Sequence, residues 1–172
     1  MLRKRLLHFA IAACTVAAAI TVPATASFAA TITPIQQSQM LGAGSGRCMD
    51  DPNNQTANSV WMDIYTCLAT PNEQWTFTQV GTNKYRISND SSEQCLNVSG
   101  GSHANNARII QYSCSGAVNE VFSFRDEGDF WWELYSADSG LCITVQNAGT
   151  ANNSKLIQYA CTNTDNQRWH FN

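Results

Sequence analysis

Four landmarks recur along this chain at one spacing, and that spacing restricts the folds open to it. Cys142 and Cys161 are matched 47 residues earlier by Cys95 and Cys114, and 47 earlier again by Cys48 and Cys67. Trp169, Phe122 and Trp75 keep the step of 47, as do Tyr159, Tyr112 and Tyr65. A period this long, held through three copies, marks one structural unit repeated in register. The copies span residues 39–80, 83–126 and 129–172.

Ahead of the repeats stand Arg3-Lys4-Arg5, an apolar run from Leu6 to Val22, and the small residues Ala24 to Ala30. This order of basic, apolar and small-residue regions reads as a secretory signal over residues 1–30, with cleavage after Ala26 or Ala29. The run is short for a membrane span and is interrupted by His8. It also continues apolar past Cys14, which argues against lipid attachment there. Residues 31–38 then form a linker, and 39–172 a single domain. Without Arg3, Lys4 and Arg5 the mature chain holds seven basic and thirteen acidic residues, a formal charge of −6. No basic patch remains, so neither nucleic acid nor an anionic membrane is an expected partner.

Six cysteines remain in the exported chain, an even count in an oxidising compartment. Of their 15 pairings, the repeat selects Cys48–Cys67, Cys95–Cys114 and Cys142–Cys161, because a copied unit carries its own staple. Each bridge closes a loop of nineteen residues, worth roughly 3 kcal/mol in the chain-entropy picture. Zinc is the other use of paired cysteines, but the spacing is long and no histidine stands close by. No metal or other cofactor is expected.

Helical periodicity is absent. Every apolar run is short and bounded by Gly, Asn, Asp or Ser, so the chain reads as all-β. Four strands per copy are expected: 85–88, 95–98, 108–112 and 121–124 in the second, and 131–135, 141–145, 155–159 and 167–171 in the third. Alternation places Trp75 with Phe77, Phe122 with Phe124, and Trp169 with Phe171 on one face of each last strand, where they can converge on a core. Twelve strands in three units must close or cover their edges. Three units are too few for a propeller, so the expected architecture is a β-trefoil.

Each copy resembles one subdomain of the ricin B-chain type lectins, carbohydrate-binding β-trefoils marked by Gln-x-Trp. The third copy has the motif intact as Gln167-Arg168-Trp169; the first has Glu73-Gln74-Trp75 and the second Glu120-Val121-Phe122. The resemblance covers nearly the whole mature chain and implies a shallow sugar pocket on each copy. In the family an aspartate stands two residues after the first cysteine, an aromatic two before the second, and an asparagine just before the motif. Carried over, the first copy offers Asp50, Tyr65, Asn72 and Glu73, and alternation adds Trp61 and Asp63 on the Tyr65 face. The second copy offers Asn97, Tyr112, Asn119 and Glu120. The third offers Tyr159, Asn166 and Gln167, with the shorter Thr144 in the Asp50 position. A pyranose presents a C–H face that suits an aromatic plane and a hydroxyl edge that needs fixed polar partners.

The expectation is therefore a secreted, monomeric, non-enzymatic lectin. Galactose-, xylose- or arabinose-containing glycans are its candidate partners. The rival reading is a protein-binding β-trefoil such as a secreted hydrolase inhibitor. Glu73 and Glu120 do not make a glycosidase pair, because equivalent positions in different copies stand farther apart than the ~5–10 Å a catalytic pair requires. The acidic stretch from Asp126 to Asp129 lacks the spacing of a calcium loop and reads as a hairpin turn. Peptide mapping without reduction is expected to return three linkages, each joining cysteines nineteen apart. A bridge between copies, such as Cys67–Cys95, would break the assignment.

Overall fold

The computed structural model describes residues 37–172. The signal at residues 1–30 lies outside the described residues, as does the linker before Gln37. Twelve strands follow one another: β1 (Met40–Gly42), β2 (Cys48–Asp50), β3 (Asp63–Tyr65), β4 (Trp75–Gly81), β5 (Lys84–Asn89), β6 (Cys95–Val98), β7 (Ile109–Tyr112), β8 (Val121–Asp126), β9 (Trp132–Ser136), β10 (Cys142–Val145), β11 (Ser154–Tyr159) and β12 (Arg168–Phe171). All but one of the strands expected for the second and third copies appear within one residue of their places, and β8 alone runs two residues farther. The acidic stretch turns the β8–β9 hairpin, with Asp126 Oδ1 accepting from the Gly128 amide at 2.8 Å.

The first and last strand of each copy build a barrel. β4 pairs β5, β5 pairs β8, β8 pairs β9, β9 pairs β12 and β12 pairs β1. A bridge from Ser38 to Trp75 closes the ring, so the fold takes in Ser38 as well as the residues from 39 onward. The two middle strands of each copy form the hairpins β2–β3, β6–β7 and β10–β11. The result is the β-trefoil that the triple repeat requires.

Alternation on the last strands does what period two demands. Trp75, Phe122 and Trp169 have no accessible surface. Two residues on, Phe77, Phe124 and Phe171 meet around the pseudo-three-fold axis with ring centroids 5.9, 5.4 and 5.2 Å apart. Tilted and edge-on contacts of this kind satisfy the ring quadrupoles. The buried indoles also find acceptors: Trp75 Nε1 donates to the Met49 carbonyl at 3.1 Å and Trp169 Nε1 to that of Ile143 at 3.2 Å. Phe122, at the equivalent place, has no N–H to satisfy.

The hairpins are held by their neighbours. β11 of the third copy pairs β3 of the first, while single bridges join Trp61 to Ile110 and Arg108 to Ile157. One asparagine per copy clasps the next hairpin. Asn58 Oδ1 accepts from the Ser113 amide, Asn105 from Ala160 and Asn152 from Thr66, at 2.8, 2.9 and 3.0 Å. Each copy carries its own disulfide, Cys48–Cys67, Cys95–Cys114 and Cys142–Cys161, with Cα atoms 5.1, 5.0 and 5.1 Å apart.

Two stability measurements follow from this arrangement. Phe124→Ala opens the axial aromatic cluster and is expected to cost about 3–5 kcal/mol in urea unfolding. Replacing Cys95 and Cys114 together by Ala removes one nineteen-residue loop, with an expected loss of about 3 kcal/mol.

Candidate functional site

Three equivalent positions recur in each copy: the last or second-last residue of the first hairpin strand, the end of the second strand, and the turn before the last strand. In the first copy Asn72 Nδ2 donates to Asp50 Oδ1 at 2.6 Å and to the Asp51 carbonyl at 3.2 Å. In the second, Asn119 Nδ2 donates to Asn97 Oδ1 and to the Val98 carbonyl, both at 3.0 Å. In the third, Asn166 Nδ2 reaches the Val145 carbonyl at 3.1 Å, but its Oδ1 accepts from Thr164. Thr144 turns away: its hydroxyl donates to the Cys142 carbonyl and accepts from Gln167 Nε2. The polar dyad therefore forms in two copies and is missing from the third.

The motif residues Glu73, Glu120 and Gln167 are each 1% exposed. Glu73 Oε2 accepts from the amides of Leu68 and Ala69 and from Gln39 Nε2. Glu120 accepts from the amides of Ser115 and Gly116, and Gln167 Oε1 from that of Thr162. These side chains hold the loop that follows each second cysteine, and so position the pocket wall from behind. Tyr112 and Tyr159 remain 43% and 39% exposed, and Tyr65 is half-buried, so an aromatic face stands at the rim of each copy. Between the loops of the second copy lies a cleft of about 340 Å³ lined by Asn97, Ile110, Tyr112, Asn119 and Glu120. A crevice of about 450 Å³ also borders the third copy. It opens between the turn holding Gly42 and Gly44 and the residues Val145 and Asn166, and Tyr159 is not part of its wall.

Trp61 and Asp63 sit differently from Tyr65. β3 begins at Asp63, because Trp61 bridges to the second copy. Its indole N–H donates to the Leu156 carbonyl at 2.6 Å, and the Arg108 guanidinium lies 4.4 Å over its ring. Asp63 has no exposed surface and accepts from Lys155 Nζ at 2.8 Å. The alternation that puts it on the Tyr65 face holds for the backbone, while Lys155 of the third copy seals the carboxylate in.

Around Asp50 the structure gathers more charge than the sequence suggested. Asp50 and Asp63 are register partners across β2 and β3, and Asp51 follows directly. Asp50 is 4% exposed and Asp51 fully buried, and neither oxygen of Asp51 has a hydrogen-bond partner. Burial, then Asp63, Glu73 and Asp51, push Asp50 up to about 7 against the opposing pull of Lys155. Burial and Asp63 push Asp51 up to about 7. Burial raises Asp63 too, with Lys155 opposing. Asp51 and Lys155 were not among the expected site residues. The period gave a signal for the first, since its equivalents are Val98 and Val145. Lys155 arrives only through the pairing of two copies distant in sequence.

Two of the three copies thus hold a polar dyad, and each copy ends its second hairpin strand on a tyrosine. The match to the ricin-type β-trefoil lectin domain spans residues 36–169, and the chain belongs to that family. It is 29% identical to a designed three-fold symmetric protein, ThreeFoil, with a TM-score of 0.78 over 79% of this chain and 97% of that one. An exo-β-1,3-galactanase from Clostridium thermocellum shares the fold at 24% identity and TM-score 0.77, over 80% of this chain but 30% of that one. A Macrolepiota procera ricin B-like lectin, solved with lactose, shares it at 16% identity and TM-score 0.69, over 83% and 98%.

The buried acid yields a test with a defined sign. With the folded pKa of Asp51 near 7 and the unfolded one near 3.8, stability is complete below the unfolded value and is lost as pH rises through 7. The protein is expected to be more stable at pH 5 than at pH 8. Asp51→Val, which installs the residue of the other two copies, should raise unfolding free energy at pH 8 by about 1–3 kcal/mol and flatten that pH dependence. Denaturant titrations at both pH values check it.

Proposed function

We propose that this chain is an exported, non-catalytic and monomeric lectin that holds glycans in the pockets of its first and second copies. The observation that carries the reading is the pair of dyads, Asp50–Asn72 and Asn97–Asn119, the second of which shares its cleft with Tyr112. Fixed acceptors at a hydroxyl edge and an aromatic face at the ring suit a pyranose. Galactosides are the first ligands to try, since the Macrolepiota procera lectin was solved with lactose; xylans and arabinans follow. Glu73 and Glu120 have their carboxylates engaged by their own loops, which favours binding over hydrolysis.

The pockets rank first, second, third. A carboxylate accepts charge-assisted bonds that an amide oxygen matches only in part, and the Thr144 hydroxyl is already taken. Each pocket alone binds weakly, and affinity for a polymer comes from two sites on one chain. Titration calorimetry with a monovalent sugar chosen by glycan array provides the test. Asp50→Asn is expected to weaken binding about tenfold or more, Asn97→Ala less, and Thr144→Ala less than about twofold. Unchanged affinity in Asp50→Asn together with loss in Thr144→Ala would overturn the ranking. Failure on all glycans with tight binding of a hydrolase would overturn the lectin reading.

A further inference from the structure

The three pockets share a backbone and differ sharply in charge. At the first, Asp50, Asp51, Asp63 and Glu73 stand together, and Lys155 is the cation set against them. At the equivalent places the second copy has Asn97, Val98, Ile110 and Glu120, and the third has Thr144, Val145, Ile157 and Gln167. Glu120 of the second copy further has the Arg86 guanidinium 3.9 Å away.

Lys155 does not exhaust the acidity of the first pocket. It bonds one oxygen of Asp63, while the other is buried without a partner, as are both oxygens of Asp51. Asp50 spends Oδ1 on Asn72, and no described donor reaches its Oδ2. A hydroxyl-only sugar can offer this site hydrogen bonds but no charge. An ammonium group would offer both, and would lessen the repulsion among acids that share one cation.

We propose that the first copy is selective for amino sugars, taking a hexosamine whose protonated amine bonds Asp50 while the ring stacks on Tyr65. The inference rests on the lectin reading and names the ligand class of one of its pockets. The second copy, with an amide in place of Asp50, remains the neutral-sugar pocket. Affinity for the amine then depends on pH from both sides. It falls at low pH as Asp50, surrounded by Asp51, Asp63, Glu73 and Lys155, takes up a proton. It falls at high pH as the amine loses one.

The test is a calorimetric comparison of methyl glucosaminide and methyl galactosaminide with their N-acetylated and 2-hydroxy counterparts, using the mature protein. The expected result at about pH 7.5, where Asp50 is mostly ionised and an amine is still substantially protonated, is a preference of about tenfold or more for the free amine in at least one series, as a charge-assisted bond provides. Asp50→Asn should abolish that preference; the variant keeps the residue that the second copy already accommodates at this position. Asn97→Asp should create a weaker preference in the second copy. Equal affinity for amine and neutral sugar in both series, or a preference that survives Asp50→Asn, overturns the inference while leaving the lectin reading intact. Absence of binding by every glycoside and on the glycan array overturns both.

Discussion

A hairpin of two strands of three to six residues exposes more unpaired backbone than it covers, and in this molecule each hairpin is completed by another copy. β3 finds β11, Trp61 bridges to Ile110 and Arg108 to Ile157. Asn58, Asn105 and Asn152 cap the ends of the adjoining hairpins with single side-chain acceptors. Beneath them Phe77, Phe124 and Phe171 can pack only when all three copies are present. Cooperation among copies is thus built into both the polar edges and the apolar axis, and stability belongs to the trimer of repeats.

The pocket geometry is a by-product of the same closure. Glu73, Glu120 and Gln167 end the short turn that leads into the last strand of each copy, and from there they hold the loop behind each second cysteine. Acid or amide serves equally, because the task is to accept backbone N–H groups in a buried space. Within that frame the side chain two residues after each first cysteine is free to vary. Asp50, Asn97 and Thr144 occupy one backbone position and offer a carboxylate, an amide and an already engaged hydroxyl. The repeat keeps the side chains that brace the loop and changes the polar group at this one position.

Asp51 runs against the economy of the fold. A valine fills the equivalent position twice, with 1% and 2% exposure at Val98 and Val145. In the first copy the same space holds a carboxylate with no partner for either oxygen. A violation of core logic of this kind, limited to one copy and adjoining Asp50, has the pattern expected where stability yields to ligand chemistry.

The repeat made most of this molecule legible before any coordinates. A period of 47 with paired cysteines fixed the number of units and the disulfide partners, and alternation fixed which aromatics turn inward, because these depend on local spacing alone. The same spacing singled out Asp50 with Asn72 and Asn97 with Asn119, which do pair, since a copied unit repeats its contacts in a copied position. It did not reveal that Asp63 would be sealed by Lys155, 92 residues away, or that the Trp61 ring would lie under Arg108 of another copy. Nor did it show that Glu73 would face inward. Those outcomes depend on which copy lies beside which when the barrel closes, and only the tertiary structure decides the electrostatic surroundings of a side chain whose neighbours come from elsewhere in the chain.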